Sequence, residues 1–174
     1  NPVSILNTVD FSAIRNTLLS AKDDHRLFNA IVNSPFNLYK VETTLLFLGV
    51  IVLLQVNKKN GTIDRIALSA NEIAGETKKR SAKQFEEIRI PVGYEANIIA
   101  KAIKLGLPQG TTDWQYMFNP ELTAEEARLN QASGGIGFSA VYPLKARDGG
   151  ALIFSYYQYV EEIGAAQHEF MKRY

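Results

Sequence analysis

The residues best suited to recognition lie in the run Asp113-Trp114-Gln115-Tyr116-Met117-Phe118. A loop carrying Trp114, Tyr116 and Phe118 has little reason to stay in water. Each ring brings a large apolar area, and an indole N–H or a phenol O–H can orient a ligand. Asp113 adds a carboxylate beside the rings. Tyr94 and Asn97 flank the start of a helical pattern, where free backbone N–H groups favour an anion or a polar group. Arg128 and Asn130 sit on a short helix opened by Thr123-Ala-Glu-Glu126, a capping-box pattern, and offer polar anchors. Phe138 and Tyr142 share one parity of an apolar strand. The candidate ligand wall is therefore Tyr94, Asn97, Asp113, Trp114, Tyr116, Phe118, Arg128, Phe138 and Tyr142. The competing reading is ordinary core for the rings and solvated or loop-tying roles for the polar groups.

Catalytic chemistry finds no such set. The chain has 0 Cys, which removes disulfides, thiolate nucleophiles, thioether-linked cofactors and Cys-based zinc sites. His25 and His168 lie in helical patterns without a Cys or close carboxylate pair at metal-ligand spacing, so no metal site is expected. Ser133 and Ser139 lack a credible His partner, and no Gly-x-Ser-x-Gly elbow occurs. Gly134-Gly135-Ile136-Gly137 precedes a strand, whereas phosphate loops open helices. The expectation is a protein that is not an enzyme. A formal net charge of +1 gives no electrostatic footprint for nucleic acid or an anionic membrane, and Lys78-Lys79-Arg80 with Lys83 reads as a solvated cluster.

The elements that must position these residues follow from periodicity. Asp10 to Ile31 reads as an amphipathic helix, which Ser34-Pro35-Phe36-Asn37 breaks. Leu45 to Leu54 is the most apolar segment, far short of the ~20 residues a bilayer span needs. Its β-branched residues make it a core strand, with a short helical approach before it. Asn60-Gly61 suits a type I′ hairpin turn to a strand over Thr62 to Leu68. Asn71 to Lys79 is a short helix or loop. Phe85 to Pro91 is a half-exposed strand. Glu95 to Leu105 is a helix ended by Gly106 and Pro108. A last apolar hairpin, Ile136 to Tyr157, turns at Asp148-Gly149; Tyr156, Tyr157 and Tyr159 add hydroxyls at its end. Glu161 to Tyr174 closes the chain as a helix. With 174 residues, 46% of them apolar, one domain with a sizeable core is expected. Helices and hairpins in this order make an α+β arrangement around an antiparallel sheet. The start at Asn1 and the end at Tyr174 inside a helical pattern read as cuts from a longer polypeptide.

Two blocks carry a family resemblance. Ile88-Arg-Ile-Pro91, Val92-Gly93-Tyr94 and then Glu95 to Ala100 form a strand ending in Pro, a Gly turn and a helix with an Ile-Ala step, followed by Leu105-Gly-Leu-Pro108 and Asp113. Tyr142-Pro143-Leu144 and Gly149-Gly150-Ala151-Leu152 close the last hairpin. In this order they resemble a GAF domain over roughly residues 40 to 160. The resemblance implies a profilin-like central antiparallel sheet of about six strands. Terminal helices would lie on one face, and short helices and loops would enclose a pocket on the other. Residues 1–37 would be an N-terminal helical segment and 38–174 the GAF-like domain with its C-terminal helix. It further implies a cytoplasmic, non-catalytic sensor that binds an unidentified small molecule and signals through its terminal helices to an output domain. The alternative is a ligand-free dimerisation or spacer domain, with a homodimer formed through the terminal helices. Absence of Cys excludes the Cys-linked bilin photoreceptors and the GAF-type methionine sulfoxide reductases. Asn119, Glu125 and Glu126 do not reproduce the Asn-Lys-Phe…Asp-Glu pattern of cyclic-nucleotide-binding members. No cofactor is named by the sequence.

Overall fold

The computed structural model describes residues 2–145, 148–157 and 164–174. Its centre is β1 (Leu48–Asn57), whose residues from Leu48 to Leu54 are all buried. A strand apolar at both parities must be covered on both faces of its sheet. β2 (Thr62–Leu68) and β6 (Gly150–Tyr157) pair antiparallel on either side of it. β3 (Arg89–Pro91), β4 (Gln109–Thr111) and β5 (Ile136–Leu144) complete a six-stranded sheet in the order β3-β2-β1-β6-β5-β4. The fold is therefore the α+β, antiparallel arrangement that the residue pattern implies.

The terminal segments cover one face. A 3-10 helix (Pro2–Thr8), α1 (Phe11–Leu19), α2 (Asp24–Leu38), α3 (Lys40–Leu45) and α8 (Ala165–Arg173) lie there. Leu6, Ile14, Val32 and Phe170 from this layer meet Ile51, Leu53, Phe154 and Tyr156 from the sheet. The other face is covered by α4 (Glu72–Lys79), α5 (Ile98–Leu105), α6 (Gln115–Phe118) and α7 (Ala124–Ser133). Here Ile99, Trp114, Met117 and Ala127 meet Val50, Val52, Val141 and Ile153. Among the described residues no helix is long and apolar enough to cross a membrane.

The first helical pattern divides in two. Asp10 caps α1 by accepting the N–H groups of Ser12 and Ala13, and Asp23 caps α2 by accepting that of Arg26. Aspartate is a strong N-cap residue, so a second Asp after a polar stretch starts a second helix. Ser34-Pro35 does not end α2; Pro35 lies inside it and is buried. A proline there leaves the carbonyl four residues earlier without its N–H partner. That carbonyl belongs to Ile31, and the Tyr174 hydroxyl donates to it. The last residue of the chain thus replaces a bond that Pro35 removes.

Other boundaries shift for local reasons. The expected strand Phe85 to Pro91 shortens to β3, because Phe85–Glu87 forms a 3-10 turn that brings Phe85 against the core. The β1–β2 ladder closes at Asn57 and Thr62, and of the loop between them only Gly61 has positive φ, so the turn is longer than a two-residue type I′. In the last hairpin Gly149 has φ 89°. Gly150 is required by close approach: a Cβ there would lie 2.5 Å from the Leu54 carbonyl oxygen of the neighbouring strand. α8 begins at Ala165; the expected helical residues Glu161 to Ile163, and Tyr159, lie outside the described residues.

Tyr174→Phe should cost about 1–2 kcal/mol in urea unfolding, because it strips a donor from a half-buried carbonyl. In a Pro35→Ala background, which returns the backbone N–H, the same change should cost clearly less.

Candidate functional site

The site is best built from β2 outward. The sheet carries a bulge where Leu53 pairs with Ala67 and Leu54 with Arg65, leaving Ile66 as the extra residue. Bulges re-aim side chains. Here Ile66 and Ala67 both join the cluster under the terminal helices. Arg65 and Leu68 face the opposite side, where a cavity of about 50 Å³ lies between the sheet and the α4, α6 and α7 layer. Val50, Val52 and Ile153 form its floor, and Phe85, Trp114, Met117 and Phe118 form its apolar walls. Arg65, Thr77, Ser81, Asn130 and Ser155 are polar groups in the lining. The volume is modest: an apolar cavity that takes up benzene is roughly 150 Å³, and one water needs roughly 10–15 Å³.

The electrostatics of this cavity centre on Arg65. Its side chain is buried, with 7% of the residue exposed. The guanidinium offers five N–H donors, yet among the described residues its one hydrogen bond is a long one, 3.4 Å to the Ile88 carbonyl. Phe118 stacks on it, with the guanidinium carbon 4.6 Å from the ring centroid. Burial pulls its pKa down from the usual arginine range to about 10, and the Glu121 charge acts in the opposite direction. Arg65 is therefore still a cation at pH 7. Glu121 makes no ion pair with it; its carboxylate is held at 2.9 Å by Lys83. The Ser81 hydroxyl is buried in the same lining and has no hydrogen-bond partner among the described residues.

The wall is held by polar contacts. Trp114 donates its indole N–H to the Ser139 hydroxyl at 2.9 Å, and Ser139 is 2.7 Å from the Ser155 hydroxyl. The Trp114 backbone N–H donates to Gln131 Oε1 at 3.0 Å, and Gln131 Nε2 donates to the carbonyls of Thr112 and Ile136. Asn130 donates to the Thr77 carbonyl at 2.6 Å, joining α7 to α4.

The residues expected at the site divide into five groups. Trp114 and Phe118 line the cavity, but the polar handle of Trp114 is spent on Ser139. Asn97 is fully buried and caps α5: its Oδ1 accepts from Ile99 and Ala100, and its Nδ2 donates to the carbonyls of Met117 and Asn119. Tyr94 packs beside it at the rim of the core. Asp113 and Arg128 form an ion pair at 2.9 Å that latches the start of α6 to α7. Burial pushes the Asp113 carboxyl up, but hydrogen bonds from Arg128 and Gln115 outweigh this and hold it below the ordinary carboxylate range. Tyr116 is exposed. Phe138 and Tyr142 pack on the opposite face with the terminal helices. A bulge between Ile136 and Phe138 changes the strand's parity there, so Ile136 alone of that set points toward the cavity-side core. Arg65 and Ser81 were not among the expected residues. For Arg65 a signal exists: in Thr62 to Leu68 it shares the parity of buried Ile63.

A larger cleft of about 560 Å³ opens between α2, α3 and the start of α4. Its Asn33 and Asn71 side chains are already bonded to backbone groups of Asn29, Ala70 and Gly49, so it offers fewer groups in search of a ligand.

Asn97→Ala should cost about 3 kcal/mol of stability, from a lost N-cap and buried carbonyls left without donors. Thermal or urea unfolding checks this.

No family model matches the sequence, and no curated protein matches it. Solved structures do. The GAF domain of a phosphoenolpyruvate-protein phosphotransferase from Coxiella burnetii superposes with a TM-score of 0.60 at 14% identity, over 99% of this chain and 86% of that one. The GAF domain of an Acinetobacter phosphoenolpyruvate-protein phosphotransferase gives 0.59 at 11% identity, over 92% of this chain and 82% of that one. A segment of a methyl-accepting chemotaxis protein gives 0.53 at 9% identity, over 93% and 88%. At such identities the likeness is one of architecture, and the conclusion it joins to the sheet order and the two-layer cover is that this chain has the fold of a GAF domain.

Proposed function

We propose that this chain is a non-catalytic, cytoplasmic sensor domain. Residues 38–174 form the sensing unit and 1–37 its N-terminal helical segment. A small molecule occupies the cavity beside Arg65, and the terminal helices carry the response to an output domain. One observation carries this reading: β6 lines the cavity with Ile153 and Ser155, and on alternate residues meets the terminal helices with Phe154 and Tyr156. A ligand that shifts β6 therefore acts on both layers at once. Signalling needs different affinities in the two arrangements, not affinity alone. The fold's neighbours in phosphotransferase and chemotaxis proteins support a regulatory role. Native mass spectrometry of the purified protein tests the proposal. The expected result is a bound mass that disappears on denaturation; an empty protein, with no compound from a metabolite panel altering amide exchange in α8, would overturn it.

A second reading, dimerisation, is supported by leftover apolar surface. Val41 and Leu45 fall at helical spacing on α3, just after Leu38 at the end of α2, and the three are 67%, 51% and 47% exposed. This surplus lies at the end of α2 and on α3; within Asp10 to Ile31, where the sequence pattern puts part of the interface, Leu19 is exposed as well. Sedimentation should show a dimer that Val41→Glu converts to monomer; a wild-type monomer at high concentration would remove this reading.

A further inference from the structure

We infer that the cavity is a receptor for one small planar oxyanion, a short carboxylate or an anion of nitrate size, held by Arg65. The inference deepens the sensor reading and rests on it. A buried guanidinium without a carboxylate paired to it is costly, and an anion brought to it reduces that cost. Arg65 has donors to spare, since its described bonds end at Ile88, and its fork matches a two-oxygen acceptor. Water fills space but supplies no charge.

The remaining lining fits the same ligand. Ser81 brings a buried hydroxyl without a partner. Trp114 donates to Ser139, and Ser139 lies next to Ser155. Arg65 and Ser81 both have N–H or O–H groups to donate, as an anion requires. Phe118 fixes the guanidinium plane by stacking on it. At about 50 Å³ the space admits a few heavy atoms. Nucleotides, haem and bilins are too large for the cavity in this closed form.

The test titrates the full chain with sodium formate, acetate and nitrate at fixed ionic strength, with formamide as the neutral match for formate. Unfolding temperature and calorimetry are the readouts. At least one anion should raise the melting temperature saturably, and formamide should not. Arg65→Gln should weaken that binding at least tenfold while melting no lower than anion-free wild type. If Arg65→Gln does not fold, Ser81→Ala serves, with an expected loss of threefold or more. Anions without a saturable effect, or binding unchanged in both variants, would overturn the inference. A neutral molecule released in native mass spectrometry, bound equally by Arg65→Gln, would overturn it while leaving the sensor reading intact. No anion effect and no released molecule would sink both.

Discussion

The structure depends on β1 being apolar through its full thickness. Leu48 to Leu54 present side chains to both sides of the sheet, and every one is buried. Each face must therefore carry a cover. The terminal-helix cover is built from large interlocking rings: Phe154 meets Phe170 edge-on at 6.3 Å and Tyr142 at 5.9 Å. The opposite cover is assembled from the connections β2–β3, β3–β4 and β4–β5 and the helices within them, and it does not close fully. The residual space lies beside the bulge, where Arg65 faces inward.

This asymmetry ties the site to the fold. Arg65 faces the cavity because it shares the parity of Ile63, and the bulge beyond it turns Ile66 and Ala67 to the other face and Leu68 back beside Arg65. Short polar links then hold the cover over it: Asn97 joins α5 to the end of α6, Gln131 joins α7 to the loop before α6, and Asn130 joins α7 to α4. Gly134, at the end of α7, belongs to the same device. A Cβ there would lie 2.4 Å from Thr77 Cγ2, so α4 and α7 can approach only because the position is glycine. A cover fastened through a few such bonds can shift as a unit when its contents change, whereas a face packed with interlocked rings resists gradual deformation.

Much of the fold is legible in the sequence, because it is written in periodicity and caps. The capping box at Thr123 and Glu126, the left-handed Gly106 after α5 and the two apolar hairpins each have a local cause, and each stands where the pattern puts it. The failures have long-range causes. Pro35 looks like a break because its compensation comes from Tyr174, at the far end of the chain. Phe138 and Tyr142 look like pocket residues because parity alone does not say which face carries the pocket. Asn97 looks like a ligand group because its partners, the Met117 and Asn119 carbonyls at the end of α6, are marked by no pattern. Arg65 is hidden differently: a single charge in a strand ordinarily faces water, and only its core parity and the bulge reveal it.

The account's central claim is that the buried cation of β2 faces an anion. A crystal structure of the protein grown with and without nitrate tests this most directly. The account predicts a planar density on the Arg65 guanidinium at about 2.8–3.2 Å, with Ser81 donating to it. A cavity holding only water at high nitrate, or Arg65 swung out to pair with Glu121, would contradict it.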